Sequence, residues 1–198
     1  MLIGLTGLKR SGKSTAAKYL VDVYGFTELS FAEPLKSMAL DVDPIVHIQD
    51  DFRGRRVYRL SEVVGEFGWE EAKDRFPEVR RFLQRLGTEG VRGHLGVNTW
   101  ADIVEGAIED IRSDDYYHRN GEMTPIVIAD VRFENEAEVV VRHGGVVVEV
   151  RRLPVVSLPE DAHASEQGVE WDYQIDNVMG KPYVLQSEID RLVRWLSE

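Results

Sequence analysis

Apolar positions along the chain fall into short unbroken runs and into stripes of helical spacing, and the two kinds alternate. Leu2 to Thr6 is a short apolar run that ends at a glycine-rich turn. From Lys13 the apolar positions Ala16, Tyr19, Leu20, Val23 and Tyr24 recur at the spacing of one helix face. The pattern predicts strand, loop and helix, in that order. Gly25 follows where a left-handed helix cap is common, Phe26 to Ala32 reads as a second strand, and Pro34 opens a short helix with Leu35, Met38 and Ala39. Between Asp41 and Trp69 the pattern weakens: Ile45 to Ile48 and Arg56 to Leu60 read as short strands around Arg53 and Gly54, followed by a short helix. Pro77 to Leu86 is a clear helix, with Val79, Phe82, Leu83 and Leu86 on one stripe and Gly87 as its expected stop. Asn98 is placed to cap the longest amphipathic stretch, Trp100, Ile103, Val104, Ala107, Ile108 and Ile111, and Ser113 to Met123 reads as a surface loop.

After Pro125 the strands return as continuous apolar runs, Ile126 to Ala129 and Val146 to Val150. A helix with Ala137, Val140 and Val141 lies between them and ends at Gly144 and Gly145. A last strand around Gln174 to Asp176 and a terminal helix on Leu185, Ile189, Leu192, Val193 and Leu196 follow. Continuous apolar strands alternating with helices imply a parallel sheet covered on both faces. The expected architecture is therefore α/β, a three-layer sandwich around a central parallel sheet. Residues 151 to 172 have weak periodicity, and long irregular segments inside compact domains are often lids or binding loops.

Length and charge narrow the function. A chain of 198 residues fits one domain, able to bury roughly 70% of its unfolded surface. No repeat, low-complexity tract or flexible linker divides it. No apolar run nears the roughly 20 residues that cross a bilayer, and the start, Met-Leu-Ile-Gly, lacks the pattern of a signal peptide, so a cytoplasmic protein is expected. The absence of cysteine excludes disulfides, thiolate metal sites and cysteine nucleophiles. A net charge of −11 disfavours binding to nucleic acid or to an anionic membrane, because phosphate backbones are bound mainly through Lys and Arg. Against that background the basic groups Lys9, Arg10 and Lys13, Arg53, Arg55, Arg56 and Arg59, Arg80, Arg81 and Arg85, and Arg151 and Arg152 suggest small anions handled at particular places.

Residues 7 to 14, Gly-Leu-Lys-Arg-Ser-Gly-Lys-Ser, match the full G-x-x-x-x-G-K-[ST] phosphate loop. The glycines let the backbone wrap a polyphosphate, so that amides and the positive end of the following helix face its oxygens. Lys13 supplies a cation for the β and γ phosphates, and the Ser14 hydroxyl can ligate the magnesium that accompanies ATP. The metal also needs an acid at the end of a neighbouring strand, and Ile126-Val127-Ile128-Ala129-Asp130 offers one, although Asp130 would equally cap the next turn. Arg132, two residues on, could face the reacting phosphates, and Arg151 and Arg152 could come over them from the irregular segment. His163, Ser165 and Glu166 in that segment have no strand or helix to place them, and no hydrolytic triad follows from them.

A phosphate loop is common to many proteins, and the rest of the chain must discriminate. There is no Asn/Thr-Lys-x-Asp motif of a GTPase and no Leu-Ser-Gly-Gly-Gln run of a transporter ATPase, and the chain is short for a helicase core. Small-molecule kinases remain. Gly4-Leu-Thr-Gly with Arg10-Ser-Gly-Lys-Ser-Thr15, Leu29-Ser-Phe-Ala with Pro34-Leu-Lys36, and Phe82-Leu-Gln-Arg-Leu-Gly-Thr-Glu89 with Arg92, Gly96, Asn98 and Trp100 then form a set. Asp130-Val-Arg132-Phe with Asn135-Glu-Ala, and Ile175-Asp-Asn177, complete it. In these the sequence resembles the tailed-phage deoxynucleoside monophosphate kinases, over most of its length and least between Asp41 and Trp69.

The resemblance implies a single P-loop domain of the nucleoside monophosphate kinase type. Its core would be residues 1–32 and 124–198, with an acceptor-binding insertion at about 33–123 and a lid at about 151–172. It implies ATP and Mg²⁺ as co-substrates, a deoxynucleoside monophosphate as acceptor, and the host cytoplasm as location if the protein is phage-encoded. The implied nucleotide contacts are Gly7, Lys9, Arg10, Ser11, Gly12, Lys13, Ser14, Thr15, Arg152 and Asn177, with Ser14 and Asp130 on the metal and Lys13, Asp130, Arg132 and Arg151 in catalysis. For the acceptor, Lys36, Arg85, Arg92 and Arg132 offer cations and Trp100 a flat surface. Trp100 also lies on the apolar stripe of its helix, which suits a core residue, and Lys36 and Arg85 suit a solvated face as well. Glu89 could hydrogen-bond a base edge or hold an arginine. Base preference, deoxyribose preference and a homodimeric state stay open. So do two rivals, another small-metabolite kinase such as a dephospho-coenzyme A kinase and a non-catalytic ATP-binding regulator.

Overall fold

A computed structural model describes residues 1–52, 54–119, 122–154 and 169–198 of the chain. By its internal contacts the chain forms two compact units, one of Met1–Phe31 with Ala101–Glu198 and one of Ala32–Trp100.

The first unit is built on parallel strands β1 (Leu2–Thr6), β2 (Thr27–Leu29), β5 (Ile126–Ile128), β6 (Val146–Leu153) and β7 (Tyr173–Val178), in the order β2-β5-β1-β6-β7. Strand alternation sorts the apolar runs onto two faces. Ile3, Leu5, Val127, Val148 and Val150 join Ala16, Ala17, Leu20, Leu185, Ile189 and Leu192, the inner stripes of α1 (Lys13–Tyr24) and α7 (Pro182–Ser197). Leu2, Ile126, Ile128 and Val147 join Val104, Ile108, Ala137 and Val140 from α5 (Thr99–His118) and α6 (Glu134–Arg142). Both faces are covered, as the continuous apolar runs require. Each fully buried aliphatic side chain contributes roughly 1.5–3 kcal/mol, so the two packed faces hold the sheet together. At the far end of α1, the hydroxyls of Tyr19 and Tyr24 both donate to Asp190 Oδ1 on α7, at 2.9 and 2.7 Å. No described helix is long and apolar enough to cross a membrane.

Three expectations change here. The segment from Ser113 continues α5 as far as His118 instead of forming a loop. One polar residue of the extension is buried: Asp115 is 1% exposed and accepts from the Thr124 amide at 2.8 Å and the Thr124 hydroxyl at 2.5 Å, with Arg112 at 3.4 Å. Residues 101–123, expected with the insertion, instead include the apolar stripe of α5 that packs on the sheet. The last strand before the irregular segment also runs past Val150, because Arg151, Arg152 and Leu153 pair in register with Asp176, Asn177 and Val178.

The second unit contains α2 (Ala32–Val42), an antiparallel hairpin of β3 (Ile45–Asp51) and β4 (Gly54–Arg59), α3 (Leu60–Arg75) and α4 (Pro77–Gln84). Ala39, Val46, Leu60, Val63, Ala72, Val79 and Leu83 form its core. Gly87 does not end the helix as expected. The chain continues as a wide π-helical segment, Arg85–Arg92, in which Gly87 is buried. A Cβ at Gly87 would lie 2.8 Å from Leu35 Cδ2, so the glycine serves close packing against α2 and not a stop.

Candidate active site

The connections that leave the middle of the sheet diverge. β1 lies between β5 and β6; the chain out of β1 leads to β2 beyond β5, and the chain out of β6 leads to β7 on the opposite side. In open α/β sheets, ligands bind in the crevice at the carboxyl ends of two such strands. Residues 7 to 14 follow β1 at that place.

The loop turns through left-handed torsions at Gly7 (φ 129°), Arg10 (φ 62°) and Gly12 (φ 112°). Space requires the two glycines as much as torsion does: a Cβ at Gly7 would lie 2.5 Å from the Val150 carbonyl oxygen, and one at Gly12 2.2 Å from Asn177 Nδ2. Lys13 Nζ donates to the carbonyls of Gly7 at 2.7 Å and Leu8 at 2.9 Å, so the ammonium is held at the loop. Ser11, 2% exposed, has a hydroxyl with no partner among the described residues. Gly12 brings no side-chain cap to α1, and the first turn of α1 contains no acid to offset its positive end. Backbone amides, an uncompensated helix N-terminus, an ammonium and an unpartnered buried hydroxyl together form a donor set for a polyanion.

Asp130 stands at the end of the neighbouring strand. Its carboxylate accepts from Ser30 Oγ at 2.9 Å and from the Phe31 amide at 2.8 Å, tying the end of β5 to the end of β2. Arg132 is exposed two residues on. The turn that carries it is shaped by Glu136, 3% exposed, whose Oε2 accepts from the amides of Arg132 at 2.9 Å and Phe133 at 3.3 Å. Arg151 and Arg152 are strand residues. Arg151 is held side-on by Asp176, Nε to Oδ1 at 3.0 Å and Nη2 to Oδ2 at 3.3 Å, and that bond raises its pKa further. Arg152 Nη1 donates to the Arg10 carbonyl at 2.9 Å, and Asn177 Nδ2 to the Ser11 carbonyl at 2.8 Å.

A family profile described as deoxynucleotide monophosphate kinase matches residues 59–181, more than half of the chain. The chain belongs to the deoxynucleotide monophosphate kinase family. A protein of Acanthamoeba polyphaga mimivirus, provisionally named a deoxynucleotide monophosphate kinase, is 34% identical over 174 residues, which cover 84% of this chain and 80% of that protein. Among solved structures, a provisionally described kinase of Chloroflexus aurantiacus aligns with 99% of this chain and 93% of its own at 13% identity and a TM-score of 0.47. A sugar kinase from Janibacter aligns over the same shares at 14% identity and a TM-score of 0.37. The family match begins after the phosphate loop, so the loop is recognised by its own motif and geometry.

This deoxynucleotide monophosphate kinase family member is a phosphotransferase, and the residues expected at the acceptor, Arg132 apart, lie in the Ala32–Trp100 unit. Lys36 meets Glu33 at 3.3 Å on α2. Arg85 and Glu89 pair at 3.3 Å on the π-helical segment with both side chains exposed. Arg92, half-buried, ends the same segment. Trp100 is a correction: it is 4% exposed, and its indole N–H donates to the buried Gly87 carbonyl at 3.0 Å, which leaves no open face for a base. The kinase's Ser14 and Thr15 are exposed in the first turn of α1, and Lys9 and Arg10 are exposed in the loop. His163, Ser165, Glu166 and most of the expected lid lie outside the described residues, as does Arg53.

Ser30, Glu136 and Asp176 were missed as supports of the site. Ser30 and Asp176 leave no periodic mark, since each acts on a residue distant in sequence. Glu136 lies three residues beyond Phe133, the cap of α6, the spacing at which a carboxylate reaches back to the cap amide.

Proposed function

We propose that the kinase transfers the γ-phosphoryl group of ATP to the α-phosphate of a deoxynucleoside monophosphate, giving the diphosphate and ADP. The observation that carries this reading is the phosphate loop at the diverging strand ends. Its left-handed turns, Lys13 and the uncapped, acid-free start of α1 suit a triphosphate. Among the described residues no group of three or more His, Cys, Asp or Glu is placed to hold a metal. A magnesium ion would therefore depend on Ser14 and Asp130 and on the nucleotide's own oxygens, as is usual for this ion. When bound it would neutralise charge on the transferred phosphate.

The remaining chemistry needs little from the protein beyond position and charge. An acceptor phosphate is ionised at neutral pH, so no strong general base is required. Lys13 is assigned to the β and γ phosphates, and the exposed Arg132 to the charge that spreads over the oxygens in the transition state. Arg151, fixed by Asp176, is assigned a charge-neutralising role from its strand. Lys36, Arg85 and Arg92 are assigned to the acceptor phosphate. Trp100 supports the segment that carries two of them. In its present pair, Glu89 serves as a partner to Arg85 and not as a reader of the base.

The test is ADP release in a coupled assay, with MgATP and each common nucleoside and deoxynucleoside monophosphate in turn. Release that depends on a deoxynucleoside monophosphate is expected. Release only with a hydroxyl acceptor such as dephospho-coenzyme A would replace this reading with that rival. Tight ATP binding without acceptor-dependent release would replace it with a regulatory role.

A further inference from the structure

Two neighbouring cross-strand pairs at the end of β6 and β7 behave differently. Arg151 faces Asp176 and Arg152 faces Asn177 in the parallel register, and consecutive residues of a strand point to opposite faces. The first pair closes on itself through two guanidinium–carboxylate bonds. The second pair reaches the phosphate loop, and its two donors meet consecutive carbonyls: Arg152 takes Arg10 at 2.9 Å and Asn177 takes Ser11 at 2.8 Å. The contact from Asn177 is intimate. An ideal Cβ on Gly12 would lie 2.2 Å from its Nδ2, 3.2 Å from its Cγ and 3.6 Å from its Cβ, so the carboxamide occupies the space that a side chain at position 12 would need.

The geometry has a direct consequence for the loop. A trans peptide unit is planar, with its carbonyl and its amide hydrogen on opposite edges. Pinning the Ser11 carbonyl toward Asn177 turns the Gly12 N–H the other way. The preceding plane is fixed twice over, because the Arg10 carbonyl is held by Arg152 and the Ser11 amide donates to the Leu8 carbonyl at 3.1 Å. Arg10 itself has φ 62°, a conformation that non-glycine residues adopt only where the surroundings hold them.

We propose that Asn177 is a positioning residue for the phosphate loop: together with Arg152 it fixes two consecutive peptide planes so that the Gly12 amide is presented to the phosphates. This rests on the reading of the loop as a triphosphate site, and it gives Asn177 a task other than contact with the base or sugar. Its role is the preorganisation of a donor, which spares the loop any reorganisation when the anion binds.

The experiment compares two ligands on the same protein by titration calorimetry, MgATP and magnesium tripolyphosphate, which has the phosphates but neither base nor sugar. Asn177→Ala is expected to weaken both by the same factor, about tenfold for one lost and formerly well-aligned hydrogen bond. The ratio of ATP to GTP affinity is expected to stay that of the wild type. The KM for ATP should rise more than kcat falls. A variant weakened toward ATP but not toward tripolyphosphate would place Asn177 on the base or sugar and overturn the proposal. A variant unchanged toward both would overturn it as well. The fitted stoichiometry reports the folded fraction, so partial unfolding does not disguise either result. Wild-type protein that bound neither ligand would defeat the triphosphate reading itself, whereas binding of both with no effect of the substitution defeats only the positioning role.

Discussion

Trp100→Phe separates two tasks that the sequence left open for this residue. A stacking surface for a nucleotide base would survive the change, since phenylalanine keeps a flat ring. A buried strut would not. The indole N–H is the donor to the Gly87 carbonyl, at 3.0 Å in a buried setting, and phenylalanine has nothing to put there. A buried carbonyl left without its donor costs about 1–3 kcal/mol. The smaller ring adds about 1 kcal/mol for lost burial and the gap it leaves. The expected loss is therefore about 2–4 kcal/mol, a large share of what typically holds a domain of this size together. Urea unfolding followed by far-ultraviolet circular dichroism measures it. The midpoint should fall while the slope stays that of the wild type. Because Arg85 and Arg92, proposed above for the acceptor phosphate, ride on the segment that Gly87 belongs to, the acceptor KM should also rise. A stability loss below about 0.5 kcal/mol, within the ordinary range for surface changes, would refute the structural role.

Three further outcomes follow from the same geometry. Lys13→Met keeps the stem and removes the ammonium; turnover should fall on the order of a hundred- to a thousandfold, while the melting temperature changes little, and near-normal turnover would remove Lys13 from the mechanism. Arg151→Ala should lower kcat more than it weakens ATP binding, and an unchanged kcat in steady-state assays would take Arg151 off the catalytic list. Asp115, held below its ordinary value of 3.8 chiefly by the Thr124 hydroxyl, gives stability that is full above that value and is lost as pH falls through its lower folded value. Asp115→Asn should therefore be less stable than wild type near neutrality, by a margin that shrinks below about pH 4. A margin independent of pH in acid unfolding would contradict the assignment.

Local patterns in the chain were enough to place the sheet and the phosphate loop. The strands β1, β5 and β6 are apolar runs because both faces of a parallel sheet are covered, and the loop motif specifies its own turn, so each is written in adjacent residues. Other features depend on distant segments. The polar stretch after Ser113 stays helical because Asp115 finds donors in Thr124, and no stripe announces that. Gly87 looked like a stop and is a packing site against Leu35, a contact that spacing cannot show. Arg151 and Arg152 looked alike as neighbours in an irregular segment. One is bound to a carboxylate and the other to the phosphate loop, because Asp176 and Asn177 arrive on the next strand. Asp130 was expected on a metal, and its visible partners are Ser30 and Phe31, which fix the orientation of its carboxylate. For the candidate site, therefore, the sequence could nominate groups but could not say what holds them.

Phosphoryl transfer itself is followed most directly with ATP labelled at the γ-phosphate, incubated with magnesium and a deoxynucleoside monophosphate and then resolved by chromatography. The account predicts that the label appears in the deoxynucleoside diphosphate, in amounts equal to the ADP formed, and that Lys13→Met abolishes most of it. Label found only in inorganic phosphate, or left in ATP whichever monophosphate is supplied, would contradict it.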